Sequence, residues 1–375
     1  MLDPTYVHVH LDNIRSNLEG IRKAVGPGRK ILVAVKANAY GHGAVQVSRL
    51  AQESGCEWLG VATVPEGIQL REAGISLEIL KFSPAIPEAM LPAVRHNITL
   101  AVCDTEGIRQ LQEICEINDL RARVHLKVDS GMGRIGVTLE EAPAMAAFIE
   151  DDCPNIRLEG VFTHFPVSDV DPTYTRGQIA RFNHAVSAIE AVIGRKIDLV
   201  HSANSGAVLG AEAAWMDMVR PGIMVYGFNP DKKTPHTIPL KPGLSFFTEV
   251  SFVKKVTAGT GISYGHTWHA PRDTWVATLR VGYADGYNRL LSNQGRVLIN
   301  GKSYPVVGRV CMDQTMIDLG PETDVEIGDK VVLIGKSGDE EITVDEMAEK
   351  LGTITYEVTC QISPRVKRYY RKNPR

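Results

Sequence analysis

The chain has 375 residues, of which 44% are hydrophobic and 23% charged, close to the averages of soluble globular proteins. At about 150 residues per domain this length predicts two or three domains, and the composition excludes a disordered or collagen-like chain. Forty-one Lys+Arg against 44 Asp+Glu give a net charge of −3, which leaves no global basic field for nucleic acid.

No apolar run approaches the roughly 18 residues of a membrane span, and the N-terminus (MLDPTYVHVHLD) lacks a basic segment followed by an apolar one. A cytoplasmic location is the expectation. Cys56, Cys103, Cys115, Cys153, Cys311 and Cys360 are dispersed without a C-x-x-C pair. They read as reduced thiols, most of them small buried hydrophobes.

Leu11, Ile14, Leu18, Ile21 and Val25 step by three and four along one helix face. Short β-branched runs then recur at 31–35, 58–62, 78–82, 99–102, 124–128, 158–163, 198–202 and 216–220, with helical spacing between most of them. Asp104 and Thr105 stand where a cap would open a helix carrying Ile108, Leu111, Ile114 and Cys115. Strands alternating with helices imply parallel units, and eight of them fit an α/β fold of the (β/α)8 TIM-barrel type. An open doubly wound sheet has the same local pattern.

The texture changes after residue 227. Pro230, Pro235, Pro239 and Pro242 make a stiff, helix-poor connector. Alternating segments follow at 251–256, 275–281, 296–299, 306–310, 316–319 and 330–334, with Asn300-Gly301 as a hairpin turn between two of them and a helix near 344–351. The predicted organisation is a barrel over 11–240 and a mainly β C-terminal domain over 241–375, which an N-terminal strand within 1–10 can join.

Catalytic residues of such barrels sit at the C-terminal ends of strands. Lys36 closes the first run in V-A-V-K-A-N-A-Y-G-H-G. A desolvated lysine there favours its neutral, nucleophilic amine, suited to a Schiff base; the bland alternative is a head group reaching solvent. Tyr40 precedes a Gly-His-Gly turn that can face a phosphate. The fifth run leads into K-V-D-S-G-M-G-R-I-G, bringing Lys127, Asp129 and Arg134 to the barrel rim. Its G-x-G-x-x-G match falls outside an opening βαβ unit, which argues against a dinucleotide site.

His164 ends the sixth run, where a lone histidine is more often structural than a base. Asn204, Ser205, Gly222 and Ile223 occupy the loops after runs seven and eight, a usual place for a phosphate, with Arg220 directly before. His266 and His269 lack a third ligand, so no metal site is expected. A lysine on one strand and an anion cradle on two others together suit a phosphate-bearing carbonyl compound.

Together with T-H-F, H-S-A-N-S, V-R-P-G-I-M-V-Y-G, I-S-Y-G, V-G-Y-A-D-G, V-G-R-V-C-M-D-Q and I-T-Y-E-V, these motifs resemble bacterial alanine racemase, in the family's order over about residues 31–360. The resemblance implies pyridoxal phosphate as cofactor, a homodimer with active sites shared between subunits, and interconversion of L- and D-alanine, supplying D-alanine for peptidoglycan. It makes Lys36 the Schiff-base lysine and gives the phosphate to Tyr40, Ser205, Gly222, Ile223 and Tyr356, with Asn204 beside them. Arg220 would face the pyridine nitrogen and His164 would support Arg220. Arg134 would donate to the phenolic oxygen, positioned by Lys127, which is carbamylated in many members.

From the partner subunit, Tyr264 would be the second base and Met312, between Cys311 and Asp313, would meet the substrate carboxylate. Asp169, Tyr283, Arg289, Arg309 and Ile354 match the family's entrance corridor. A serine or broad-specificity racemase stays open, because one small hydroxyl gives little discrimination in a close-fitting pocket. So does a non-catalytic pyridoxal-phosphate barrel, although it would need neither Tyr264 nor C-M-D-Q.

Overall fold

The computed structural model describes residues 4–371, so the first and last residues of the expected terminal segments lie outside it. The chain divides into two compact units. One comprises Asn13–Ala39 and Gly43–Lys241, and the other the described residues up to Asp12, Tyr40–His42 and those from Pro242 onward.

The first unit is built on eight parallel strands. They follow a strand of the other unit, β1 (Tyr6–His10), and are β2 (Lys30–Ala34), β3 (Trp58–Val61), β4 (Glu78–Lys81), β5 (Ile98–Val102), β6 (Ala122–Lys127), β7 (Ile156–Phe162), β8 (Leu199–His201) and β9 (Met218–Val219). Their order is β8-β7-β6-β5-β4-β3-β2-β9, each beside its neighbour in sequence except where β9 returns to β2, with Lys30 opposite Met218. Two backbone bonds bring the ends together: Asp217 N–H to Val200 O (3.1 Å) and Arg220 N–H to Ala203 O (2.8 Å). The sheet is therefore a barrel and not an open doubly wound layer.

All eight runs read from the sequence are strands here, each within two residues of the expected ends. Buried on both faces, they read as near-continuous apolar stretches. Leu32, Trp58, Leu80, Leu199 and Met218, from five of the strands, form one buried cluster with Phe82 against it. The helix Leu11–Val25 buries its five expected apolar residues. Asp104 caps the helix Thr105–Ile117 by accepting from Gly107 N–H.

In the second unit β10 (Leu244–Val256) is the hub. It pairs antiparallel with β1, and β1 pairs parallel with the strand β19 (Lys367–Arg371). The remaining strands are β11 (Gly261–Ile262), β12 (Trp268–His269), β13 (Thr274–Leu279), β14 (Arg296–Ile299), β15 (Lys302–Pro305), β16 (Thr315–Gly320), β17 (Lys330–Ser337) and β18 (Glu340–Ile342). The expected helix is present at Val344–Leu351.

The hairpin at Asn300 (φ 50°) and Gly301 (φ 78°) joins β14 to β15, which starts directly after the turn. The strand expected over 306–310 does not form. Only Val306 bridges, to Ile317, because Gly308 turns the chain at φ 74° against Ile262 O. Val306, Val307 and Val310 are apolar because they are buried, not because they alternate along a strand. The cysteines also depart from expectation: Cys56, Cys115 and Cys153 are buried, but Cys103 and Cys311 are only half-buried and Cys360 is exposed.

Candidate active site

The first unit gathers its chemistry at the C-terminal ends of its strands. β2 runs into half-buried Lys36, whose Nζ lies 5.9 Å from the Phe82 ring centroid. The backbone beyond it is unusual, since Ala37, Asn38, Ala39 and Tyr40 all have φ between 51° and 54°. For non-glycine residues this left-handed turn costs about 1–2 kcal/mol each. Such strain persists only where surrounding bonds enforce it, and it concentrates at functional sites. Here Ala37 N–H donates to Glu66 Oε1 (2.7 Å) and Ala44 N–H to Asn38 Oδ1 (2.8 Å).

At the end of β6, Lys127 is only 2% exposed. Burial, then the charges of Arg220 and Arg134, push its amine down to about 7; its Nζ donates to Val128 O at 3.0 Å. Asp129 turns its carboxylate to the N–H groups of Gly131, Met132 and Gly133 at 2.8–2.9 Å. Burial alone would raise this carboxyl, but those three donors hold it below the usual range. Gly131, Gly133 and Gly136 all adopt positive φ and shape this carboxylate-capped loop, not the start of a helix that cradles a dinucleotide.

Arg220, just past β9, is buried and held by four acceptors. Nη1 meets His201 Nδ1 at 2.9 Å, while Nη2 reaches Thr163 O (2.7 Å), Ser202 O (2.9 Å) and His164 Nδ1 (3.4 Å). Burial pushes its guanidinium down to about 9, which leaves it cationic at neutral pH. His164, half-buried beside Arg220, Lys127, Arg134 and Lys36, is pushed far down by desolvation and by those charges and is a neutral imidazole. Four basic side chains thus converge on one rim, and the Asp129 carboxylate among them is occupied by backbone donors.

Across the β8/β9 seam, Gly222 N–H donates to Ser205 Oγ at 2.9 Å, so the two expected anion loops meet. Asn204 caps the turn that follows: its Oδ1 accepts from Ala207 N–H (3.1 Å) and Ser168 Oγ (2.6 Å). Asp169 packs its backbone against Gly206, beside that turn. Ile223 is buried, and Arg134 lies exposed on its loop.

The other expected residues belong to the second unit. Tyr40 and Tyr356 have ring centroids 5.9 Å apart, and burial pushes the Tyr40 hydroxyl up. The loops bearing Tyr264, Tyr283 and Met312 are tied together. Ser263 Oγ donates to Arg309 O (2.6 Å), Tyr283 N–H to Cys311 O (3.0 Å) and Ala284 N–H to Met312 O (3.0 Å). A side chain at Gly282 would collide with the Cys311 and Met312 carbonyls, so the two loops approach as closely as backbone permits. Tyr264 is nonetheless 72% exposed, Met312 54% and Ile354 56%. Arg289 opens a short turn, Arg289–Leu291, beside them in sequence.

Two contributors escaped the sequence reading. His201, not His164, is the nearer histidine to Arg220; its place inside the H-S-A-N-S motif was the available signal. Arg365 joins Asp285 and Asp313 with 2.7 Å bonds to each and so bridges the Tyr283 and Met312 loops, which no local pattern foretells.

Two family models cover nearly the whole chain. "Alanine racemase, N-terminal domain" matches residues 9–230 and "Alanine racemase, C-terminal domain" matches residues 244–370. The alanine racemase of Cutibacterium acnes is 49% identical over 372 residues, 98% of each chain. That of Chlorobaculum tepidum is 44% identical over 96% of this chain and 94% of its own. The chain belongs to the alanine racemase family.

Solved structures of alanine racemases agree with this fold. One from Bacillus anthracis with bound L-Ala-P has a TM-score of 0.94 at 38% identity, covering 99% of this chain and 96% of its own. One from Clostridium difficile has 0.93 at 36%, with the same coverage. The unmatched stretch between the two alanine racemase domains, 231–243, holds Pro235, Pro239 and Pro242 and no regular element. No helix among the described residues is long and apolar enough to cross a membrane, and no group of three or more His, Cys, Asp or Glu there could hold a metal ion.

Proposed function

We propose that this chain racemises alanine, with pyridoxal phosphate held on the barrel and a second base supplied by a partner subunit. The observation that carries this reading is the convergence of Lys36, Lys127, Arg134 and Arg220 around a neutral His164. That surplus of basic side chains suits a molecule bearing a phosphate, a phenolic oxygen and an aromatic nitrogen. When bound, the cofactor draws electron density from the substrate and makes its Cα–H acidic.

Lys36 would hold the cofactor covalently at rest, and Ser205, Gly222, Ile223, Tyr40 and Tyr356 would bind its phosphate. Arg134 would donate to its phenolic oxygen. Arg220 would meet its ring nitrogen as a donor only: a guanidinium keeps its own protons and has no lone pair to accept another. With no acid or base there to protonate the ring, electron withdrawal stays moderate and transamination is disfavoured.

Inversion at Cα needs a proton taken from one face and another delivered to the opposite face, so two residues on opposite sides are required. Lys36 Nζ would serve the face of the D-enantiomer. Tyr264 of the partner subunit would serve the L-face, and the partner subunit's Met312 would present its backbone N–H to the carboxylate. The exposure of Tyr264, Met312 and Ile354 on bonded loops supports a homodimer, because apolar side chains held rigidly in solvent are what a partner covers.

Lys127 would carry carbon dioxide as a carbamate. Its neutral amine would add to the carbon of CO2 and release a proton, turning a neutral buried amine into an anion that holds Arg134. An amine lowered to about 7 has the free base this addition needs. We read the enzyme as cytoplasmic, where it would supply D-alanine for peptidoglycan.

The test is direct. Purified protein given pyridoxal phosphate should convert L- or D-alanine to an equal mixture of both. A clearly higher kcat/KM for L-serine than for L-alanine would contradict the substrate assignment.

A further inference from the structure

A line of buried polar side chains runs through the barrel, away from the rim. Arg220 Nη1 meets His201 Nδ1 at 2.9 Å, and His201 Nε2 meets His125 Nδ1 at 2.8 Å. His125 Nε2 lies 3.4 Å from Glu159 Oε2, and Glu159 Oε1 lies 3.4 Å from Arg123 Nη1. Arg123 also pairs with Glu78. Arg220 stands past the C-terminal end of β9, whereas Glu78 and Arg123 are the first and second residues of β4 and β6, so the line spans the barrel from one end to the other.

We propose that Glu159 is a positioning residue for Arg220, its carboxylate holding from the far end the same proton arrangement of His125 and His201 that Arg220 requires at the rim. The guanidinium can only donate, so His201 Nδ1 must be bare to receive it. A neutral His201 then has its proton on Nε2 and donates to His125 Nδ1. His125 in turn is protonated on Nε2, which faces Glu159 Oε2 at 3.4 Å, an ion-pair distance at which neither atom completes a hydrogen bond. Every proton in the line points away from the rim. Reversing either imidazole would set an N–H against an N–H, at His201–His125 or at Arg220–His201.

The surroundings favour this single arrangement. His125 and His201 are wholly buried, and burial pushes both imidazoles down, so neither carries a second proton near neutral pH. Burial alone would raise the Glu159 carboxyl, but His125 and Arg123 hold it below the ordinary range and keep it anionic. The Phe162 ring stacks on His201 at 5.0 Å and 4°, and the Trp58 ring lies 5.3 Å from His125. Gly160 leaves the space: a Cβ there would sit 2.8 Å from the His125 ring. In so dry a setting the Glu159 charge favours an N–H on the His125 nitrogen that faces it, whereas the opposite tautomer would set a lone pair against the carboxylate.

The consequence for reaction choice rests on Arg220 meeting the ring nitrogen, but the proton arrangement does not. The first test therefore uses cofactor-free protein labelled with 15N-histidine. His125 and His201 should both show a bare Nδ1 and a protonated Nε2. In Glu159→Leu the opposite tautomer of His125, then opposed only by His201, should become populated, and Glu159→Asp should restore the original pattern. A protonated Nδ1 on His201 in the unaltered protein, or identical spectra in Glu159→Leu, would overturn the proposal. If Glu159→Leu does not fold, Glu159→Gln, which removes the charge at nearly the same volume, is measured in its place with the same two outcomes.

The second test uses holoenzyme. Glu159→Leu should lower kcat for racemisation about tenfold, as expected for one weakened buried hydrogen bond, and raise the share of transamination, with KM moving less than kcat. A tautomer change without a change in that share would leave the Glu159 line standing and overturn the placement of Arg220 at the ring nitrogen.

Discussion

Gly222 donates its backbone N–H to Ser205 Oγ at 2.9 Å, a bond that joins the loops after the last two barrel strands. Both residues are buried. One hydroxyl thus ties the seam of the barrel and holds the two loops that would cradle a phosphate. Removing it by Ser205→Ala leaves a buried N–H unpaired, a loss of about 1–3 kcal/mol. Equilibrium denaturation should show that loss, and titration with pyridoxal phosphate should show about tenfold weaker binding. Unchanged affinity would remove Ser205 from the cradle.

Lys127 makes a pH prediction. Its amine is near 7 when folded and 10.5 in an ordinary setting. Below about pH 7 it is charged in both states, and the folded state bears the full cost of desolvating that charge. Between about 7 and 10.5 the unfolded chain binds more protons, so stability rises with pH across that window. The cofactor-free protein should show this slope relative to Lys127→Met, in buffers free of carbon dioxide. Supplied 13C-bicarbonate should then give a carbamate signal that is stronger at pH 8 than at pH 6 and absent from Lys127→Met.

Arg365 bridges Asp285 and Asp313, and with them the loops of Tyr283 and Met312. It is half-exposed, and such pairs contribute modestly. Arg365→Leu should raise KM for alanine about threefold, with kcat less affected, because the bridge orders a substrate contact and moves no proton. A fall in kcat at constant KM would place Arg365 in the chemistry instead.

Tyr264 and Lys36 can be separated by exchange in heavy water. The two enantiomers are equally stable, so losing either base lowers racemisation equally in both directions as read by kcat/KM. Exchange of the α-proton without inversion is not so constrained. Tyr264→Ala should lose exchange from L-alanine and retain it from D-alanine at Lys36. Undiminished exchange from L-alanine would count against Tyr264 as the second base.

The legible parts of the fold were those where burial and periodicity coincide. Parallel strands covered on both faces stand out as apolar runs, and Lys36 and Lys127 stand out because each closes one. The hairpin at Asn300-Gly301 was visible for the same local reason. Less legible was whatever depends on residues far apart in sequence. The stretch 306–310 has the alternation of a strand, yet the close approach of Gly308 to Ile262 O turns it aside. His201 and His125 meet only because β8 and β6 flank β7, and the pairing of Glu159 with Arg123 likewise depends on β7 lying beside β6. The left-handed turn at Ala37–Tyr40 has no glycine to announce it.

The assignment rests above all on Lys36 as the residue that holds the cofactor. Protein mixed with pyridoxal phosphate should turn yellow, lose its visible band on treatment with borohydride, and carry the reduced adduct on the peptide containing Lys36. Protein that stays colourless, or an adduct on another lysine with Lys36 unlabelled, would contradict the account.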